Sequence, residues 1–171
     1  MKKISTILTL CLMLAGTLGA CASDTAKNNN GDSAAVESVA PVSELYANAA
    51  AKMEDGQYAA AAAGFDEVER QYPYSQWATR AQLMSAYAHY LDLNYDMAIL
   101  GLDRFIQLHP GNENIAYAYY LRGLSFYEQI SDVKRDQHMT ELALDGLSDV
   151  VDRFPESRYA RDSSLKIDLT L

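Results

Sequence analysis

The chain is short of nearly everything that builds a reactive site. Of its 171 residues only two are cysteine, Cys11 and Cys21, too early to staple a fold and without the histidine spacing of a zinc site. The three histidines, His89, His109 and His138, have no second His or Cys at metal-ligand spacing. No nucleophile elbow or glycine-rich phosphate loop is present. Asp66, Glu67 and Glu69 read as a solvated helix face rather than as paired catalytic carboxylates. The sequence therefore points away from an enzyme and calls for no cofactor or metal. Basic residues are scarce too, 14 against 23 acidic, a formal charge of -9, which opposes a phosphate backbone and argues against nucleic acid as a partner. With 9 Gly and 4 Pro beside 49% hydrophobic residues, collagen-like and disordered chains are excluded and one compact domain is expected.

What is present begins with an address. Lys2 and Lys3 precede an apolar run from Ile4 to Leu18 that ends in small residues, the pattern of a secretory leader. Polar Ser5, Thr6, Thr9 and Thr17 interrupt the run, which falls short of the about 20 apolar residues of a membrane span. Leu18-Gly19-Ala20-Cys21 resembles the lipobox of bacterial lipoproteins, in which the leader is cut before a Cys that receives acyl chains. The other reading is a plain leader cleaved near Ala20, with Cys21 left as a free thiol. Lipidation of Cys21 is the expectation, because an unpaired thiol is a liability in an oxidising compartment. Loss of residues 1–20 removes Lys2, Lys3 and Cys11, so 12 basic residues face 23 acidic ones and the charge becomes -11. Several acyl chains on one Cys tether a protein to a membrane without a span. Ala22, where an Asp would favour the inner membrane, points by resemblance to the outer one, with the domain facing the periplasm. Residues 21–42 are small and polar without aromatics, a flexible leash between lipid and domain.

The body, residues 43–171, repeats. Ala61-x3-Phe65 is followed by Pro73, Ala98-x3-Leu102 by Pro110, and Ala143-x3-Leu147 by Pro155, at identical offsets. These match half of the tetratricopeptide pattern. A small residue precedes the Ala by twelve in Ala49 and Ala86, and by twenty in Gly123, so the third unit carries an eight-residue insertion between Gln129 and Met139. That insertion is polar, and is either a binding loop or a solvated surface loop. Small residues at fixed positions let antiparallel helices approach closely. Pro73-Tyr-Ser-Gln-Trp77-Ala78 and Pro155-Glu-Ser-Arg-Tyr159-Ala160 are two copies of one junction, with Ser75 and Ser157 as N-caps, as Asn112 is after Pro110. Seven helices follow, at about 43–55, 58–71, 76–91, 95–108, 113–130, 137–153 and 157–169. The expected fold is all-α, a tetratricopeptide-repeat solenoid of about three and a half helix pairs. Its units are about 43–75, 76–112 and 113–157, with a partial fourth at 158–171.

Leu45-Tyr-Ala-x-Ala49, Lys52-x3-Gly56, Asp103-Arg-Phe-Ile106-x-Leu108-x-Pro110, Asn114-Ile115-x-Tyr117-x2-Tyr120-x-Arg122-Gly-Leu124, Arg135-Asp-Gln137 and Phe154-Pro-x-Ser157-x-Tyr159 carry a more specific likeness. With the lipobox and the long third unit, the chain resembles the BamD family, the tetratricopeptide lipoproteins of the outer-membrane β-barrel assembly machinery. The resemblance implies a periplasm-facing adaptor. Its partners would be BamA, the other Bam subunits and unfolded outer-membrane protein clients, whose C-terminal strand alternates apolar and polar residues and ends in an aromatic. Members of the family resemble five-repeat proteins, so a chain stopping after the first helix of a fourth repeat is expected to be truncated. Since much of the family's BamA contact lies in the C-terminal repeats, it is also expected to hold clients better than BamA. The competing reading is another tetratricopeptide lipoprotein, a pilotin-like factor or a coordinator of envelope division.

In such solenoids the first helix of each pair lines the concave, peptide-binding face. With Ala49, Ala86 and Gly123 set equivalent, Tyr46, Tyr87, Tyr90, Tyr120 and Tyr127 are expected there, joined by Tyr117 one turn earlier. Tyrosine offers large contact area with few rotors and a hydroxyl for a peptide backbone; the other reading is that some of these rings are interior packing. A terminal carboxylate wants a cation, and Arg80 and Arg122 are the candidates. Arg122 alternatively pairs within the fold, with Asp92 or Asp103.

Overall fold

A computed structural model describes residues 41–130 and 137–170. The leader, Cys21, nearly all of the leash and the insertion at 131–136 lie outside the described residues. Seven helices make up the fold: α1 (Val42–Glu54), α2 (Tyr58–Gln71), α3 (Gln76–Leu91), α4 (Tyr95–Leu108), α5 (Ile115–Tyr127), α6 (Gln137–Arg153) and α7 (Arg158–Thr170). Each packs on the next. The odd-numbered helices also pack in succession, α1 on α3, α3 on α5 and α5 on α7, whereas among the described residues no even helix packs its backbone against another even one; α2 and α4 meet through the Arg104–Glu69 ion pair. The result is a tetratricopeptide-type solenoid in which a continuous odd layer carries separated even helices.

The repeat spacing sets this packing. Ala61, Phe65 and Val68 on α2, Ala98, Leu102 and Phe105 on α4, and Ala143, Leu147 and Val150 on α6 occupy one register, and all nine side chains are buried. Burying each of the larger ones stabilises the fold by about 2 kcal/mol. The helices of a pair cross where both residues are small. A Cβ placed on Gly64 would lie 2.9 Å from the Ala49 Cβ, one on Gly101 3.2 Å from the Ala86 Cβ, and one on Gly123 3.0 Å from the backbone of Gly146.

The junctions follow from capping. The Ala78 N–H donates to Ser75 Oγ at 3.1 Å, and the Ala160 N–H to Ser157 Oγ at 3.1 Å, each cap contributing about 1 kcal/mol. The middle junction differs from the expectation. Asn112 does not cap a helix; its Oδ1 accepts from the Asn114 N–H at 2.9 Å, which holds residues 112–114 in a turn and delays α5 to Ile115. At its other end α5 stops at Tyr127, because the N–H groups of Gln129 and Ile130 turn back to Phe126 and Tyr127. The fifth helix is thus shorter at both ends than the expected span of 113–130.

A tyrosine-lined cleft as candidate functional site

The first helix of each complete pair places one side chain three residues before its small crossing residue: Tyr46 on α1, Leu83 on α3 and Tyr120 on α5. The junction that follows sends a residue back over it. Trp77, four after Pro73, lies against Tyr46 with ring centroids 4.9 Å apart, and Tyr159, four after Pro155, stacks on Tyr120 at 5.2 Å. At the middle junction that position is Asn114, which has no ring to contribute. Leu83 is left facing an open cleft of about 560 Å³, lined also by Tyr46, Arg80, Phe105, Asn114 and Tyr117. The cleft is therefore the consequence of one missing aromatic in an otherwise repeated junction.

Its chemistry is mixed. Tyr46 packs edge-on to Phe65 at 5.2 Å, and burial pushes its hydroxyl pKa up while the nearby Arg80 guanidinium works in the opposite direction. Arg80 is exposed, and among the described residues no ion pair holds it. Tyr117 approaches Tyr87 at 6.2 Å and Tyr159 at 5.4 Å. Burial raises the Tyr117 hydroxyl pKa most, and the neighbouring Tyr87 and Tyr159 add to it. A run of rings thus crosses from α3 through α5 to α7, with Arg80 and the Asn112–Asn114 turn at one edge. An apolar or aromatic side chain fits the floor, and a carboxylate fits Arg80.

The remaining expected residues sit elsewhere. Tyr90 meets Tyr95 of α4 at 5.6 Å, and its hydroxyl is pushed up to about 12 by burial, with Glu128 adding to the shift. Tyr120 donates to Asp162 Oδ2 at 2.5 Å. Lys166 lies 3.8 Å from the same carboxylate and 5.1 Å over the Tyr127 ring. Tyr120 and Tyr127 thus fasten α5 to α7. Arg122 has Asp103 as its partner, Nε to Oδ1 2.9 Å, without hydrogen-bond alignment. Trp77, Tyr159 and the asparagine turn are additions that the reading of the repeat missed. The signal was available, since the twin junctions put an aromatic four residues after Pro73 and Pro155 but not after Pro110. Among the described residues no His, Cys, Asp and Glu cluster could hold a metal ion, and no helix is long and apolar enough to cross a membrane.

Residues 39–170 match the family described as YfiO, outer membrane lipoprotein. The chain is similar to the outer membrane protein assembly factor BamD of Caulobacter vibrioides, 50% identical over 129 residues, covering 75% of this chain and 42% of the relative. It is 41% identical over 167 residues to BamD of Rickettsia prowazekii, covering 98% of this chain and 63% of the relative. With BamD of Neisseria meningitidis serogroup B it shares 34% over 177 residues, 98% of this chain and 64% of the relative. The chain spans less than two thirds of the length of these relatives. With the family match covering the whole described solenoid, the chain belongs to the BamD/YfiO family of outer membrane lipoproteins.

Proposed function

We propose that this chain is the periplasmic adaptor of β-barrel outer-membrane protein assembly, anchored by acyl chains on Cys21. It receives unfolded clients at the tyrosine-lined cleft and works with BamA and the other Bam subunits. The observation that carries the client reading is the pairing of an unpartnered cation, Arg80, with an apolar floor of Tyr46, Leu83 and Tyr117 in one cleft. An extended strand ending in an aromatic residue and a carboxylate matches both halves. Tyr87 extends the contact along the peptide, while Tyr120 and Tyr127 hold the wall behind it. Family membership supports the assembly role, and the name of the relatives describes that same role for them.

The test uses a fluorescent peptide that alternates apolar and polar residues and ends in Phe with a free carboxylate. Asn114→Tyr supplies the aromatic that the other two junctions carry, and is expected to fill the cleft and weaken the peptide at least tenfold with no loss of helix. Arg80→Ala, at an exposed site, is expected to weaken it by three- to tenfold, about 1 kcal/mol for a half-exposed ion pair. Amidating the peptide's carboxylate should then cost nothing further in that variant. Unchanged affinity in Asn114→Tyr would move the client site elsewhere.

A further inference from the structure

Of the described arginines and lysines, Arg70, Arg104, Arg122, Arg153 and Lys166 each pair with a carboxylate. Lys52, Arg80, Arg158 and Arg161 have no ion pair among the described residues. Lys52 stands in the last turn of α1, where the helix dipole favours a cation. Arg80 borders the tyrosine-lined cleft. Arg158 and Arg161 occupy the opening turn of α7 and are both exposed, and there the dipole disfavours them. None of the other described helices has an arginine or lysine in its opening turn. The stability of α7 therefore does not account for this pair.

The repeat shows which way they face. Counted from Pro73 and Pro155, Gln76 and Thr79 of α3 are the counterparts of Arg158 and Arg161, and both line the cleft. The two arginines thus lie on the same face of the solenoid, two steps further along the odd layer. The contacts agree. Arg158 lies 4.8 Å over the Tyr159 ring and donates to its hydroxyl at 2.8 Å, and Tyr159 meets Tyr117 at 5.4 Å. The Tyr117 hydroxyl pKa is raised chiefly by burial, and Arg158 works in the opposite direction, so the guanidinium sits beside a ring that lines the cleft. Glu156 and Asp162 are the nearest carboxylates in sequence. Asp162 is engaged by the Tyr120 hydroxyl and by Lys166. Glu156 stands exposed on the junction, without an ion pair to either arginine among the described residues. The pair is free to take a carboxylate from outside the chain.

We propose that Arg158 and Arg161 form a second subsite, which takes an acidic side chain of a client lying along the run of tyrosines with its terminal carboxylate at Arg80. The proposal rests on the client reading of the cleft. α3 packs on α5 and α5 on α7, two steps of roughly 8–10 Å each, and an extended chain covers about 3.3 Å per residue with alternate side chains on one face. The acidic residue accordingly lies about six residues before the terminal aromatic, on the same face of the strand. At the cleft itself an acidic side chain meets its own sign, for Glu113 lines it. The arrangement thus selects the position of the charge as well as its sign.

The test compares three versions of the fluorescent peptide that ends in Phe with a free carboxylate: Glu six residues before the Phe, Gln at that place, and Glu two residues before the Phe. Binding to the purified full chain is followed by anisotropy. Glu at the far position is expected to bind about three- to tenfold more tightly than Gln, an advantage that shrinks as salt is raised. Glu at the near position should bind more weakly than the Gln version. Arg158→Gln together with Arg161→Thr gives α7 the residues that α3 carries at those places. In that double variant the Glu and Gln peptides are expected to bind alike, while the urea midpoint stays the same or rises. Equal affinity of the two peptides for the parent chain, or a Glu advantage that survives in the double variant, would overturn the proposal and leave the cleft standing. A Glu advantage at both positions alike would show unspecific attraction and overturn it too. Failure of every peptide to bind the parent would instead overturn the client reading of the cleft, and this proposal with it.

Discussion

Leu93 is the non-glycine residue that holds a left-handed backbone among the described residues, at φ 59°. Its counterpart one repeat earlier is Gly56, at φ 73°. Both end their helix in the same way: the Gly56 and Gln57 N–H groups donate to Met53 and Lys52, and the Leu93 and Asn94 N–H groups to Tyr90 and His89. That double bond pattern places residue 56 or 93 at the position where glycine is preferred, because a Cβ there costs about 1 kcal/mol. Leu93 recovers little by packing, being 71% exposed. Leu93→Gly is accordingly expected to stabilise the domain by about 0.5–1 kcal/mol, and Gly56→Leu to destabilise it by about 1 kcal/mol, both read from urea denaturation midpoints. A lower midpoint for Leu93→Gly would mean that the side chain has a contact worth more than its backbone strain.

Between elements, the deciding contacts are those made by residues with almost no side chain. The three crossings Ala49–Gly64, Ala86–Gly101 and Gly123–Gly146 are equivalent, yet they tolerate a methyl group differently. On Gly101 it would meet a single Cβ at 3.2 Å, whereas on Gly123 it would meet Gly146 and Leu147 backbone atoms at 3.0 Å. Alanine gains about 1 kcal/mol over glycine in a helix, and overpacking costs about 1–3 kcal/mol. Gly101→Ala is therefore expected to lie within about 1 kcal/mol of the parent in chemical denaturation, and Gly123→Ala to lose about 2 kcal/mol by forcing α5 and α6 apart. The repeat made these elements legible: small, large and proline positions recur at fixed offsets, and helix starts and stops followed to within about three residues, the end of α5 being the furthest off. The glycine three residues after each repeat alanine, Gly64, Gly101 and Gly146, was equally periodic and marks the partner half of the crossing. Asn112 was misread because an asparagine side chain serves a turn as readily as a helix cap. The site was less legible for a different reason. Helical spacing assigns a side chain to a face but not to a neighbour, so it could not separate Tyr46 and Tyr117, which border a cleft, from Tyr120 and Tyr127, which α7 covers.

At the scale of the whole molecule, the same tyrosines couple the fold to pH. Burial raises the hydroxyl pKa of Tyr46, Tyr90, Tyr117 and Tyr120 above the ordinary 10.0. At Tyr120 the hydrogen bond to Asp162 adds to the rise. A tyrosine with a raised folded-state pKa holds its proton longer in the native state than in the unfolded chain. Its contribution to stability is complete below pH 10 and drains away as pH climbs from there through the folded-state values, about 12 for Tyr90 and higher for Tyr117 and Tyr120. The domain is thus expected to be flat in these groups through neutral pH and to unfold cooperatively in alkali, with tyrosinate absorbance at 295 nm rising together with the loss of helical ellipticity. The increasing negative charge of an already acidic chain pushes in the same direction, so a variant is needed to isolate the rings. Tyr117→Phe removes one hydroxyl and keeps the ring contacts to Tyr87 and Tyr159. It is expected to leave neutral-pH stability within about 0.5 kcal/mol of the parent, since a buried hydroxyl replaced by an isosteric apolar group is close to neutral. It should also raise the pH midpoint of alkaline unfolding. An unmoved midpoint would mean that Tyr117 ionises alike in both states and that water reaches its hydroxyl in the folded protein, which would make the α3–α5–α7 ring cluster a solvated surface rather than the wall of a cleft.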